Sequence, residues 1–345
     1  MVPPMNSLPE RRSYGAIFTI VTAVVTLLAN QACVTGDYRY FISGNPGDVV
    51  TRTEGLIVMQ GGGTDVDDNY VRMGQLAGGG DFVVLRASGD DDYNDYIKAL
   101  CDCDSVETIV FANRQAAYDE FVIARIRNAE ALFIAGGDQS RYVRFWKGTP
   151  VEDAIHWVAA KPAPIGGTSA GMAILGQYAY SAMSDDSLLS SAALANPFHP
   201  DLTIEADFLH LEGMEDLITD QHLIERDRMG RTVTLLARLV NDGFTPVGRA
   251  IAADRETALH LDPATAELTV HANPGHSTPF AYLLRTTGAA DTCVRGQPLS
   301  IKNIDVYRLN PGATFKLKSW TGTGGIAYTL STSAGQLISS RGDIY

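Results

Sequence analysis

Four cysteines, three tryptophans and a shortage of positive charge set the first limits on this chain of 345 residues. Lys and Arg number 27 against 40 Asp and Glu, a net charge of -13, so the surface repels phosphate backbones and nucleic-acid binding is excluded as a main role. Cys101-Asp102-Cys103 is too closely spaced for a zinc knuckle, and the remaining Cys33 and Cys293 supply no second pair. No H-E-x-x-H is present, and Gly61-Gly62-Gly63 lacks the spacing of a dinucleotide fingerprint. Asp65, Asp67 and Asn69 imitate a calcium loop, but Tyr70 stands where glycine is needed and Leu76 where the closing carboxylate belongs. Long apolar runs are also scarce. The one candidate, Ala16 to Leu28 behind Arg11-Arg12 and before the small residues Ala29 and Ala32, is short for a membrane span and reads as an export signal. Cys33 follows it, yet Asn30 sits where a lipoprotein signal carries an aliphatic residue, which argues against lipidation. In an oxidising compartment Cys101 or Cys103 could bridge to Cys293; four cysteines allow three pairings.

What is present is a regular alternation. Hydrophobic residues make up 45% of the chain. Strands are expected at Leu56–Met59, Phe82–Leu85, Thr108–Phe111, Ala131–Ala135 and just before Gly166, with amphipathic helical stretches between them. Such alternation predicts an α/β fold of three layers, a mostly parallel sheet with helices on both faces. Its site lies beyond the carboxyl ends of the strands, where the Gly-rich segments after Met59, Ala135 and Ile165 meet. From about Ser300 short β-like runs separated by Gly and Pro predict a small C-terminal β appendage. The expected organisation is a signal peptide at 1–32, a loosely ordered lead-in at 33–54, an α/β domain at 55–290 and the appendage at 300–345.

Chemistry concentrates at Gly167-Thr168-Ser169-Ala170-Gly171, a serine between glycines after an apolar segment and before a helix-compatible run. This is the pattern of a nucleophile elbow, whose strained turn exposes the hydroxyl at the top of a sheet. A serine needs a base. Of seven histidines, His222 has the most distinctive setting, after the apolar pair Leu217-Ile218 and before Arg226, Arg228 and Arg231. Guanidinium forks suit carboxylates, so this is a base beside an anion-binding cluster, or else a solvated basic turn. An α/β-hydrolase order would instead use a late histidine, with His276 the best of His260, His271 and His276.

Gly136-Gly137-Asp138-Gln139, the serine motif, and Asp220-Gln221-His222 followed by the three arginines together resemble cyanophycinases, which group with dipeptidase E in one family of serine peptidases with a fold like class I glutamine amidotransferases. The resemblance runs from about Gly55 to Arg285. It implies Ser169 as nucleophile, His222 as base, and an oxyanion hole from the N–H of Ala170 with Gly136 or Gly137. Gln139, Asp220, Gln221, Arg226, Arg228 and Arg231 match positions lining the substrate pocket. The implied activity is an exopeptidase that releases β-Asp-Arg from cyanophycin, exported to the periplasm or medium, with no metal or organic cofactor; dimers are suggested by the family. One departure stands out. The family tends to place Asp-Glu before x-Thr-Ala and uses the glutamate as third catalytic residue, but here the stretch is Asp254-Arg255-Glu256-Thr257-Ala258. Glu256 is the candidate acid after a shift of register; otherwise another group orients the imidazole and Glu256 is a surface carboxylate. An aspartyl dipeptidase, a non-catalytic binder and an unrelated esterase remain as alternatives.

Overall fold

Five strands of near-continuous apolar character lie side by side in the computed structural model, in the order Ser105–Phe111, Asp81–Arg86, Ala131–Ile134, Pro164–Thr168 and Leu56–Gln60, all parallel. Their runs are continuous because both faces are covered. Alternate residues point opposite ways, so Leu56, Val58, Phe82 and Val84 enter one core with Tyr70, Met73 and Ile97. Ile57, Met59, Val83 and Leu85 enter another with Val122, Ile126, Trp146 and Ile155. The helices that supply those partners begin with helpful residues. Asp119 accepts from the N–H groups of Phe121 and Val122 ahead of Glu120–Asn128, and Asp138 from Ser140 ahead of Gln139–Trp146. The structure describes residue 1 and residues 33–34, 36–184 and 187–345. The export signal read at 1–32 falls, but for Met1, outside them.

Around the parallel strands the fold departs from expectation. The sheet is mixed, not mostly parallel: among the described residues six strand pairings are parallel and eleven antiparallel. The supposed lead-in contains Tyr38–Gly44, which pairs antiparallel along the full length of Ser105–Phe111. Its inward residues Tyr38, Tyr40 and Ile42 are buried. On the other side Ala258–Asp262 pairs antiparallel with Leu56–Gln60, then turns through four residues into Glu267–His271. So short a link can join only antiparallel neighbours.

A second sheet runs Gln336–Ser339, Ile326–Ser333, Ile301–Leu309, Ala281–Arg285, Arg249–Ala253, Leu217–Asp220, Tyr178–Tyr180 and Ile204–Ala206. The C-terminal residues are therefore not an appendage. Ile301–Leu309 extends this second sheet beyond Ala281–Arg285, and Thr314–Lys316 extends the first beyond Glu267–His271. Each covers backbone groups that an edge strand would leave open. Cys101 is bonded to Cys103, and Cys293 is free and buried, so the bridge to Cys293 considered from sequence is absent.

Candidate active site

Ser169 follows directly on Pro164–Thr168 with φ of +51°, a left-handed conformation that costs a non-glycine residue roughly 1 kcal/mol or more. Its N–H donates to Gln60 O at 3.0 Å, and the turn closes from Gly171 N to Thr168 O at 2.8 Å. The flanking glycines are required sterically. A Cβ on Gly171 would stand 2.0 Å from Ile134 O, and one on Gly167 would stand 2.6 Å from the Gly171 carbonyl carbon. The helix-compatible run beyond the serine forms only a 3₁₀ turn, Met172–Ile174, too short to supply much of a helix dipole.

His222 lies just past Leu217–Asp220, also with positive φ, +51°. Its N–H donates to Gly61 O at 2.9 Å, and its ring lies against Gly62, where a Cβ would come within 2.2 Å of Nε2. Ser169 Oγ and His222 Nε2 are 2.9 Å apart. On the other side of the ring, Nδ1 is 2.5 Å from Glu225 Oε2. A carboxylate accepts only, so Nδ1 carries the hydrogen and Nε2 is left to take the serine proton. Asp254 Oδ1 fixes the turn by accepting from the N–H groups of Ile224 and Glu225 at 2.9 and 3.0 Å.

The acid on the imidazole is thus Glu225, three residues along the same turn, and not Glu256. Glu256 bonds Arg255 Nη2 at 2.5 Å and Thr64 Oγ1 at 3.2 Å. Arg255, at the place where the resemblance expects a glutamate, sits 3.5 Å from Glu225 Oε1. Burial holds His222 below its ordinary value of 6.5; Arg226 and Arg228 add to this, while the Glu225 bond works the other way. Burial alone would lift the Glu225 carboxyl. Its bond to His222 and the charges of His222, Arg226 and Arg255 bring it below the ordinary glutamate value instead.

Gly136 lies beside the serine: a Cβ there would be 3.6 Å from Ser169 Cβ. Gly137 has φ of +146°. Among the described residues the N–H groups of Ala170, Gly136 and Gly137 have no acceptor, which leaves them free for an oxyanion. The residues matched to a substrate pocket divide. Arg226 is half exposed, 3.9 Å from Glu225. Gln139 is buried and bonds Tyr180 O at 3.3 Å. Gln221 and Arg228 are buried together; Arg228 bonds Gln221 O at 3.0 Å and Ser187 Oγ at 2.5 Å, and has no carboxylate partner among the described residues. Burial and the neighbouring Arg231 lower it to about 9. Asp220 and Arg231 do not line a pocket. They are fully buried against each other, with Arg231 Nε 3.2 Å from Asp220 Oδ2, a second bond from Nη2, and Thr232 Oγ1 on the same carboxylate. The pair ties the helix Met229–Asn241 to the strand that leads into His222.

One group of possible metal ligands, Asp68, His260 and His271, occurs among the described residues, with donor atoms within 4.8 Å. The two imidazoles stack at 3.7 Å and 18°, so their in-plane lone pairs run side by side instead of converging, and His271 Nδ1 already faces Asp68 at 2.7 Å. His276 is 3.8 Å from Glu256 and makes no contact with the serine.

The sequence matches the model of Peptidase family S51 over residues 90–197. It is 25% identical over 215 residues to cyanophycinases of Synechococcus elongatus and Thermosynechococcus vestitus, covering 62% of this chain and 61% of theirs. The chain spans about 61% of the length of those curated relatives. A cyanophycinase of Trichormus variabilis is 27% identical over 135 residues. Among solved structures, a peptidase from an acI-B1 Actinobacterium superposes with a TM-score of 0.47 at 13% identity, over 77% of this chain and 98% of the other. The family match spans the Gly136–Gln139 and Ser169 segments and ends before His222 and Glu225. The signal for Glu225 was its spacing, i+3 from the histidine on a turn that closes from Arg226 N to His222 O at 3.1 Å.

Proposed function

We propose that this chain is an exported serine-type exopeptidase of the S51 kind that hydrolyses cyanophycin, multi-L-arginyl-poly-L-aspartate, to β-Asp-Arg dipeptides through an acyl-enzyme. The observation that carries this reading is the continuous chain Ser169 Oγ, His222 Nε2, His222 Nδ1, Glu225 Oε2, with separations of 2.9 and 2.5 Å across the ring. Ser169 Oγ attacks the scissile carbonyl while His222 Nε2 takes its proton. The oxyanion is held by the N–H of Ala170 with Gly136 or Gly137. His222 returns the proton to the leaving amine. Water, deprotonated by the same nitrogen, then attacks the ester, releasing the acid and restoring the hydroxyl. Glu225 keeps the imidazole in the required tautomer and stabilises its charged form. Arg228, a buried cation without a carboxylate partner among the described residues, and the more exposed Arg226 are the groups suited to substrate carboxylates. The relatives bearing the name cyanophycinase support the substrate, and the Cys101–Cys103 bond supports an oxidising compartment.

The test is incubation of purified protein with insoluble cyanophycin and, separately, with α-aspartyl dipeptides. Release of β-Asp-Arg, abolished by Ser169→Ala, supports the proposal. Turnover of the dipeptides alone would replace cyanophycin by a small acidic peptide. Failure of a fluorophosphonate to label Ser169 would reject the serine mechanism.

A further inference from the structure

Glu225 is an unusual orienting acid because its own turn touches only one of its oxygens, Oε2, through His222 at 2.5 Å and Arg226 at 3.9 Å. Its side chain is 31% exposed and has three rotatable bonds. Only Oε2 is engaged by the imidazole, while Oε1 faces the Arg255 guanidinium at 3.5 Å. Arg255 in turn is tied by Nη2 to Glu256 at 2.5 Å. Glu256 is anchored twice to the glycine loop: its N–H donates to Gly62 O at 2.6 Å, and its carboxylate accepts from Thr64 Oγ1 at 3.2 Å. That loop also touches the His222 ring through Gly62 and receives the His222 N–H through Gly61. A closed circuit results, from the glycine loop through Glu256, Arg255 and Glu225 to His222 and back.

We propose that Arg255 is a positioning residue that bridges Glu256 and Glu225 and so holds the Glu225 carboxylate on His222. This rests on the reading of Ser169, His222 and Glu225 as the catalytic chain. Lysine replaces it only in part, because one ammonium lacks the two rigid edges with which a guanidinium bridges two carboxylates. A lone cation beside the site would have the opposite electrostatic signature. The charged groups facing His222 and Glu225 are Arg226, Arg228 and Arg255. Removing a cation from this group raises the imidazole pKa and moves the acid limb of the pH profile up. Releasing Glu225 removes the bond that supports the charged imidazole and moves the limb down.

The experiment measures fluorophosphonate labelling of Ser169 against pH for the wild type, Arg255→Ala, Arg255→Lys, Glu256→Gln, Glu225→Gln and the Arg255→Ala/Glu225→Gln pair. The downfield Nδ1 proton of His222 is followed by NMR in the same proteins. Expected are labelling about tenfold slower in Arg255→Ala, an acid limb shifted down as in Glu225→Gln, partial recovery in Arg255→Lys, and a double variant no slower than Glu225→Gln. The Nδ1 proton signal should weaken in Arg255→Ala. An upward shift, additive losses, or an unchanged proton signal overturns the proposal. If Arg255→Ala does not fold, Glu256→Gln, which loosens the same bridge from its far end, must show the same downward shift. A wild type that never labels refutes the catalytic reading instead, and the proton signal still decides whether Arg255 holds Glu225.

Discussion

Replacing Glu225 by Gln alters one oxygen and leaves the packing of the turn in place. Asp254 still accepts from the N–H groups of Ile224 and residue 225, so the backbone geometry is retained. What changes is the imidazole. Glutamine can turn its N–H₂ toward Nδ1, which then becomes an acceptor, and the hydrogen moves to Nε2, the nitrogen that faces Ser169 at 2.9 Å. That nitrogen can no longer take the serine proton. In a fully buried triad the same change lowers kcat by about 10⁴. Glu225 is 31% exposed, so water competes for Nδ1 and restores part of the working tautomer. The expected loss is therefore on the order of 10²–10³ in kcat/KM, about 3–4 kcal/mol of transition-state stabilisation. The pH profile supplies a second reading. His222 is held below 6.5, chiefly by burial, so the acid limb of the wild-type profile is expected to have its half-point below that value. In the variant the bond that opposes burial is lost, and the half-point moves lower. The assay is fluorophosphonate labelling from pH 4 to 9, with unfolding midpoints as a control. A variant that labels at the wild-type rate with an unmoved acid limb would remove Glu225 from the mechanism.

Gly62→Ala places a methyl group 2.2 Å from the His222 ring at a position with φ of +100°, and labelling should fall at least a hundredfold while the protein stays folded by circular dichroism. Arg231→Met leaves Asp220 buried and alone, and urea unfolding should report a loss of about 3–5 kcal/mol, much of it regained in Asp220→Leu/Arg231→Met. Glu107, 1% exposed under Tyr40 and Ser105, is pushed by burial from 4.5 to about 7. Its protonated form is the one the fold favours, so its contribution is complete below about 4.5 and is lost as pH rises through 7, an effect on the order of 3 kcal/mol. Glu107→Gln should raise the unfolding midpoint at pH 8 and leave it unchanged at pH 4.

The five parallel strands were legible because strands buried on both faces carry unbroken apolar runs. Leu56–Met59 and Ala131–Ile134 announce themselves without knowledge of their neighbours. Tyr38–Gly44 did not, because half its residues face outward and its partner lies some seventy residues away at Ser105–Phe111. The β character of Ile301–Leu309 was legible, but its place beside Ala281–Arg285 in the second sheet could not be inferred from local pattern. At the site, the glycines around Ser169 and the polar stretch after Ile218 marked the nucleophile and base, since each needs special backbone geometry. Asp220 and Arg231 carry the right chemistry for a pocket, and only their burial shows that they serve each other. Glu225 was hidden among Arg226, Asp227 and Arg228, where a carboxylate looks like one more solvated charge.

Base and acid here share a single turn, from Gln221 to Arg226, stitched by its own backbone bond. A shift of that turn relative to the sheet carries the backbone of both groups together, while the Glu225 carboxylate stays tethered from outside the turn by Arg255. The separation between imidazole and hydroxyl, by contrast, spans two segments of the chain, the turn after Leu217–Asp220 and the elbow after Pro164–Thr168. The turn is therefore not self-sufficient: grafted opposite another serine elbow, it would bring the acid but would still need a cation in the place of Arg255 to hold it.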